Sequence, residues 1–220
     1  MHIMEGFLPL QWCVFWYLLC IPFVWWGLRD IEKLFKEHPE QKLTLAVAGA
    51  FIFVLSSLKL PSVTGSSSHP TGTGLSAVLF GFSATAVLSV IVLVFQALLL
   101  AHGGITTLGA DLFSMGIFGP IVAWAAFQAM RRLNVGLGPS VFVAAVLSDW
   151  ATYFITSIQL AVAYPAAVGG IVGSFEVFAG VFAITQIPLA IAEGLLLWVF
   201  FDYLSKSRPK MVGQLLGKLA

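Results

Sequence analysis

The sequence predicts an all-α membrane protein, a single domain over residues 1–220 that crosses the bilayer seven times. Three observations predict it. The chain is 59% hydrophobic and 10% charged, where soluble domains carry about 25% charged residues. Uncharged apolar runs of nearly bilayer length recur from one end to the other. The basic residues gather into a few clusters between those runs, as short cytoplasmic loops do. A net charge of +1 gives no reason to expect a nucleic-acid partner.

The runs fall at 7–28, 43–58, 75–101, 112–130, 139–163 and 177–201, the last two holding one acid each. A spanning helix needs about 20 residues. The first run is too long for the roughly 7–15-residue core of a signal peptide. Glu5 also stands where a basic leader segment would lie. Residues 7–28 are therefore expected to remain as a membrane helix, with 29–42 as a solvated cytoplasmic connection. Cys13 and Cys20 share a helix face but sit roughly 10 Å apart by rise, too far to bridge. Both read as small packing residues.

Run 75–101 would be about 40 Å long as one helix, and Gly81-Phe82-Ser83 is its expected break. Charge decides how it runs. The clusters are Arg29, Lys33, Lys36, Lys42; then Arg131, Arg132; then Lys206, Arg208, Lys210, Lys218, with Lys59 alone. A single crossing would put Arg131 and Arg132 outside, against the usual cytoplasmic excess of Lys and Arg. An out-and-back path places ten of the eleven basic residues inside. Seven crossings follow, with the N-terminus outside, residues 1–6 inserted into the bundle, and a cytoplasmic tail at 205–220. Because 75–82 is too short to span alone, the loop 59–74 must already dip inward from the outside. Irregular backbone at that depth survives only where protein or a cavity satisfies it.

That loop reads Ser62-Val63-Thr64-Gly65-Ser66-Ser67-Ser68-His69-Pro70-Thr71-Gly72-Thr73-Gly74, and the chain starts Met1-His2. A free amine followed by His is a nitrogen chelate. The Met1 amine, the His2 amide once metal has displaced its proton, and the His2 imidazole can bind one ion as fused rings. One more nitrogen completes a planar four-coordinate site, the geometry of Ni(II) or Cu(II) with nitrogen ligands. His69 is the natural fourth ligand, since its loop enters from the same face. The scheme needs Met1 retained and unblocked.

The residues that carry a resemblance are Met1-His2-Ile3-Met4-Glu5-Gly6-Phe7-Leu8-Pro9, the loop 62–74, Leu99-Leu100-Ala101-His102-Gly103-Gly104-Ile105-Thr106-Thr107-Leu108-Gly109-Ala110 and Thr185-Gln186-Ile187-Pro188-Leu189-Ala190-Ile191-Ala192-Glu193-Gly194. Together, and over essentially the whole chain, they resemble the substrate-binding M component of energy-coupling-factor cobalt/nickel transporters, the CbiM/NikM family. The loop is nearer the cobalt-type branch, although members often carry Cys where this chain has Ser67. The resemblance implies a seven-helix subunit of the prokaryotic plasma membrane that binds Co2+ or Ni2+ as transported substrate through Met1, His2 and His69. It implies partners too: a transmembrane coupling subunit, paired ABC-type ATPases and a small auxiliary membrane subunit.

Around that site, His102 is expected to support by hydrogen bonding more than to ligate, and Ser66, Ser67, Ser68 and Thr71 can fill polar positions beside the ligands. Glu5 is a candidate anchor for the inserted N-terminus. His38 reads as solvated, and Met4 and Met115 as core. Asp149 and Glu193 are intramembrane acids; an acid at mid-bilayer costs about 2.5–3.5 kcal/mol on insertion scales, so each is expected to find hydrogen-bond partners. The alternative function is a stand-alone proton-coupled transporter or channel built on that pair. A metalloenzyme is disfavoured, since the chain has no HExxH pairing and four nitrogens leave no open position. Nor does the chain hydrolyse ATP: Gly213-Gln214-Leu215-Leu216-Gly217-Lys218 has three residues between its glycines where a phosphate loop has four, and no Ser or Thr after the lysine.

Overall fold

The computed structural model describes residues 2–62 and 65–217. Among them are seven helices: α1 Leu10–Glu37, α2 Gln41–Ser56, α3 Thr73–Leu100, α4 Leu108–Arg132, α5 Leu137–Ala163, α6 Gly170–Ser207 and α7 Pro209–Gly217. All but α2 and α7 are long and apolar enough to cross a membrane, five in number, which makes this a multi-pass membrane protein. The 16 residues of α2 extend about 24 Å, short of a hydrocarbon core of about 30 Å.

The apolar stretch of α3 breaks where its glycine falls. Gly81 adopts φ 84° and ψ 166°, a region open essentially to glycine alone. The Thr85 hydroxyl reaches back 2.9 Å to the Ser76 hydroxyl. On a straight helix those two residues would stand about 13 Å apart along the axis, so the chain doubles back at Gly81. Its first half, starting at Thr73, is a short buried helix, and its second half returns beside it.

Three departures from the sequence reading are physical. Residues 29–37 continue α1 past the apolar run, stabilised by exposed i,i+4 pairs, Lys36–Glu32 at 2.6 Å and Lys33–Glu37 at 3.9 Å. Helix propagation through Leu and Lys costs little once the first turns exist. Met4 is not core but 59% exposed, because the chain turns outward at Glu5 and Gly6; Met115 is fully buried. The helical bundle also carries a small antiparallel sheet. Strand β1 (His2–Ile3) pairs with β3 (Ser66–Ser68), which pairs with β2 (Leu60–Pro61).

The core lies in three clusters. One joins α1, α2, α3 and α4 through residues such as Cys20, Ile52, Leu93 and Met115. A second packs α3 and α4 against α5 and α6 through Val78, Phe127, Val141 and Leu197. The third surrounds the strands, with Ile3, Leu8, Trp16, Tyr153 and Phe182. Cys13 and Cys20 are buried free thiols, and Cys20 spends its S–H on the Gly109 carbonyl. The pseudo-phosphate-loop stretch lies in helix α7 up to Gly217, and Lys218 lies outside the described residues.

Candidate metal centre

The strand pairing sets His2 opposite Ser67 and Ile3 opposite Ser66, and the Met4 amide extends the ladder to the Gly65 carbonyl at 2.9 Å. His2 and Ile3 are buried, at 1% and 0% exposure. A strand of two residues cannot hold itself there. The turn before α4 and its first residues complete the work: the Ile3 amide donates to Asp111 Oδ1 at 2.8 Å, and the Thr107 hydroxyl donates to the Ile3 carbonyl at 2.7 Å. Just outside, the Thr106 amide donates to the Glu5 carboxylate at 3.1 Å, and the Thr106 hydroxyl, followed by this amide, holds that carboxyl below its usual range. Gly103 and Gly104 leave the room. A Cβ at Gly103 would stand 2.8 Å from the His2 ring, and one at Gly104 2.4 Å from Glu5 Oε2.

His69 arrives from the other side, at 0% exposure. The Tyr153 hydroxyl accepts from the His69 amide at 2.9 Å and donates to the His69 carbonyl at 3.1 Å. The ring is oriented as well. His69 Nδ1 lies 2.8 Å from the Pro70 carbonyl, which can only accept, so Nδ1 carries the hydrogen and the neutral ring turns its Nε2 lone pair inward. That Nε2 faces His2 Nδ1 at 2.7 Å. Two nitrogens bonded at about 2.0 Å to one ion, at a right angle, stand about 2.8 Å apart. Here His2 Nδ1–H donates to His69 Nε2, and the spacing is close to the one neighbouring corners of a nitrogen square would take.

His102 closes the cluster. Its ligand atom and those of His2 and His69 lie within 4.8 Å of one another. Its ring centroid is 4.0 Å from that of His2. His102 Nε2 lies 2.9 Å from the Ser67 hydroxyl, while His102 Nδ1 and His2 Nε2 have no hydrogen-bond partner among the described residues. Burial drives the His2 and His69 rings well below the ordinary imidazole range, and His102 down to about 3. All three are therefore neutral at pH 7, the form a metal requires.

Of the residues expected at this site, His2, His69, His102, Ser67 and Ser68 come together; Met1 lies outside the described residues, as do Val63 and Thr64 of the loop. Ser68 turns to the Thr185 hydroxyl at 2.9 Å. Glu193 finds partners in Thr71 and Gly72. Asp149 corrects the sequence reading: neither carboxylate oxygen has a hydrogen-bond partner among the described residues, and the adjacent Ser148 hydroxyl is not turned to it either. Asp111, Thr107, Tyr153 and Gln96 were missed. Gln96 donates to Ser56 Oγ at 2.8 Å and lies against His2. The signal for Asp111 was present, an acid abutting an apolar run beside the His102 segment.

The family model described as the cobalt uptake substrate-specific transmembrane region, CbiM, matches residues 2–211. The chain belongs to the CbiM family. Similar relatives agree over nearly the full length. A putative CbiM cobalt transport protein of Methanosphaerula palustris is 57% identical over 96% of this chain and 92% of its own. The CbiM cobalt transport protein of Kyrpidia tusciae is 54% identical over 97% and 87%, and that of Anoxybacillus flavithermus 58% over 93% and 82%. Among solved structures, a transition metal transporter superposes with TM-score 0.80 at 23% identity, covering 96% of both chains. A truncated transition metal transporter gives 0.77 at 24% identity over 92% and 99%. At that identity the two structures show a shared fold and nothing finer.

Proposed function

We propose that this CbiM family member is the substrate-specificity subunit of an energy-coupling-factor importer for Co2+ or Ni2+. The ion is held by the Met1 amine, the deprotonated His2 amide, His2 Nδ1 and His69 Nε2. The observation that carries this reading is the 2.7 Å approach of two buried, oriented imidazole nitrogens, joined by the cobalt-transport names of relatives such as that of Kyrpidia tusciae. In this reading residues 1–220 are one transmembrane metal-binding domain, with 1–6 inserted, 59–74 as the site loop and 205–220 as a cytoplasmic tail. The reversal at Gly81 supports seven crossings, with the site on the outer face of a prokaryotic plasma membrane. The chain carries no ATPase motif of its own. Its energy then comes from a coupling subunit and ABC-type ATPases, with a small auxiliary membrane subunit.

By donor strength alone the site prefers Ni2+ to Co2+, so cobalt use depends on supply and on steric fit. The test is elemental analysis of purified protein with its native start, beside His2→Ala, His69→Ala and an N-terminally acetylated form. All three altered forms are expected to lose bound ion. Retention of ion at native affinity by the acetylated protein ends the reading.

A further inference from the structure

Glu193 is an acid in the middle of an apolar helix, and the site as described does not use it. Its carboxylate accepts the Thr71 amide at 2.7 Å, the Gly72 amide at 2.9 Å and the Thr71 hydroxyl at 3.2 Å. Thr71 and Gly72 are the second and third residues after His69, and Gly72, at φ 69°, immediately precedes α3. Successive amides in that conformation form an anion cradle, and a helix start favours negative charge. Ser68, one residue before His69, donates to Thr185 on the same helix α6, since the Thr185 hydroxyl itself donates to the Phe182 carbonyl. Tyr153 of α5 takes both backbone groups of His69. The loop is thus gripped before, at and after its histidine, from two adjacent helices.

We propose that Glu193, with Tyr153 and Thr185, positions His69, so that α5 and α6 set the ion affinity of the site. None of the three touches the ion. They fix where the Nε2 lone pair points, and movement of α6 against the loop is the route by which a partner could open the square. The inference rests on His69 being a ligand, and the experiment separates the two claims.

Ni2+ is titrated into the full-length protein with its native start, and its d–d absorption band is recorded for Glu193→Ala, Glu193→Gln, Tyr153→Phe and His69→Ala. Outer partners of a metal ligand typically carry 10–100-fold in affinity. Glu193→Ala and Tyr153→Phe are each expected to weaken Ni2+ by about that factor, and to shift the band to longer wavelength, towards His69→Ala, as water replaces a nitrogen. Glu193→Gln should behave nearly as Glu193→Ala, because a carboxamide offers one acceptor where the loop presents two amides. A purely structural role would give less bound ion with the native band. Tyr153→Phe removes a single oxygen and keeps the test open should Glu193→Ala fail to fold. Native affinity and band in the Glu193 and Tyr153 variants, with both lost in His69→Ala, overturn the positioning claim alone. A native His69→Ala overturns the ligand assignment and the positioning with it.

Discussion

The segment bearing His2 and the loop bearing His69 meet at one point, yet different parts of the bundle hold them. His2 is fixed through its neighbour Ile3 by Asp111 and Thr107, at the start of α4. His69 is fixed by α5 and α6. The two sides join directly through the short pairing of β1 with β3, the His2–His69 ring contact and the Ser67–His102 hydrogen bond. The difference teaches that the meeting of the rings depends on the relative position of two helix groups: neither side alone brings His2 and His69 together.

That comparison can be broken in graded ways. Acid should act most strongly, since it strikes the rings of both sides. Their folded values lie below the unfolded imidazole value of about 6.5, so the folded state binds fewer protons. Stability is then full above pH 6.5 and falls as pH drops below it. His102, held down at about 3, loses about 1.4 kcal/mol by pH 5.5, and His2 and His69 add in the same direction. Thermal unfolding of the metal-free protein at pH 7.5 and 5.5 checks it; an unchanged melting temperature would mean the rings are not desolvated.

Next in size, Asp111→Ala strands the Ile3 amide while the His69 side stays intact. About 10–100-fold weaker Ni2+ binding is expected by calorimetry; native affinity would show that β1 needs no hold from α4. Gly103→Ala, crowding the His2 ring at a φ of +78°, should cost about tenfold, since a left-handed Ala alone costs roughly 1–2 kcal/mol. Ser67→Ala is the mildest. It removes one hydrogen bond from His102, worth about 0.5–1.5 kcal/mol net, and about a threefold loss of affinity is expected. A loss as large as that of His2→Ala would move His102 into the ligand set.

Much of this was legible in the chain. Apolar runs set the long helices, and charge clusters required the break at Gly81. His2 and the histidine in a polar loop are the two residues the sequence picks out, and their rings do meet; Met1 lies outside the described residues. What sequence could not supply was partnership. Asp149 and Glu193 look alike as lone acids in apolar runs, yet only one meets the two free amides just before α3. Asp111 escaped because its value comes from an amide 108 residues away. The three-residue β3 escaped because Ser-Ser-Ser has little strand propensity; pairing on both edges makes it a strand.

The bend at Gly81 has a wider consequence. A methyl group there would meet nothing within 4 Å, so the requirement for glycine is torsional and owes nothing to crowding. The hairpin it permits delivers Thr71 and Gly72 to Glu193, and a rod in its place would carry the loop off its anchor. One achiral residue thus serves as the elbow of the whole assembly: an alanine would fit the space and still be strained in the pose.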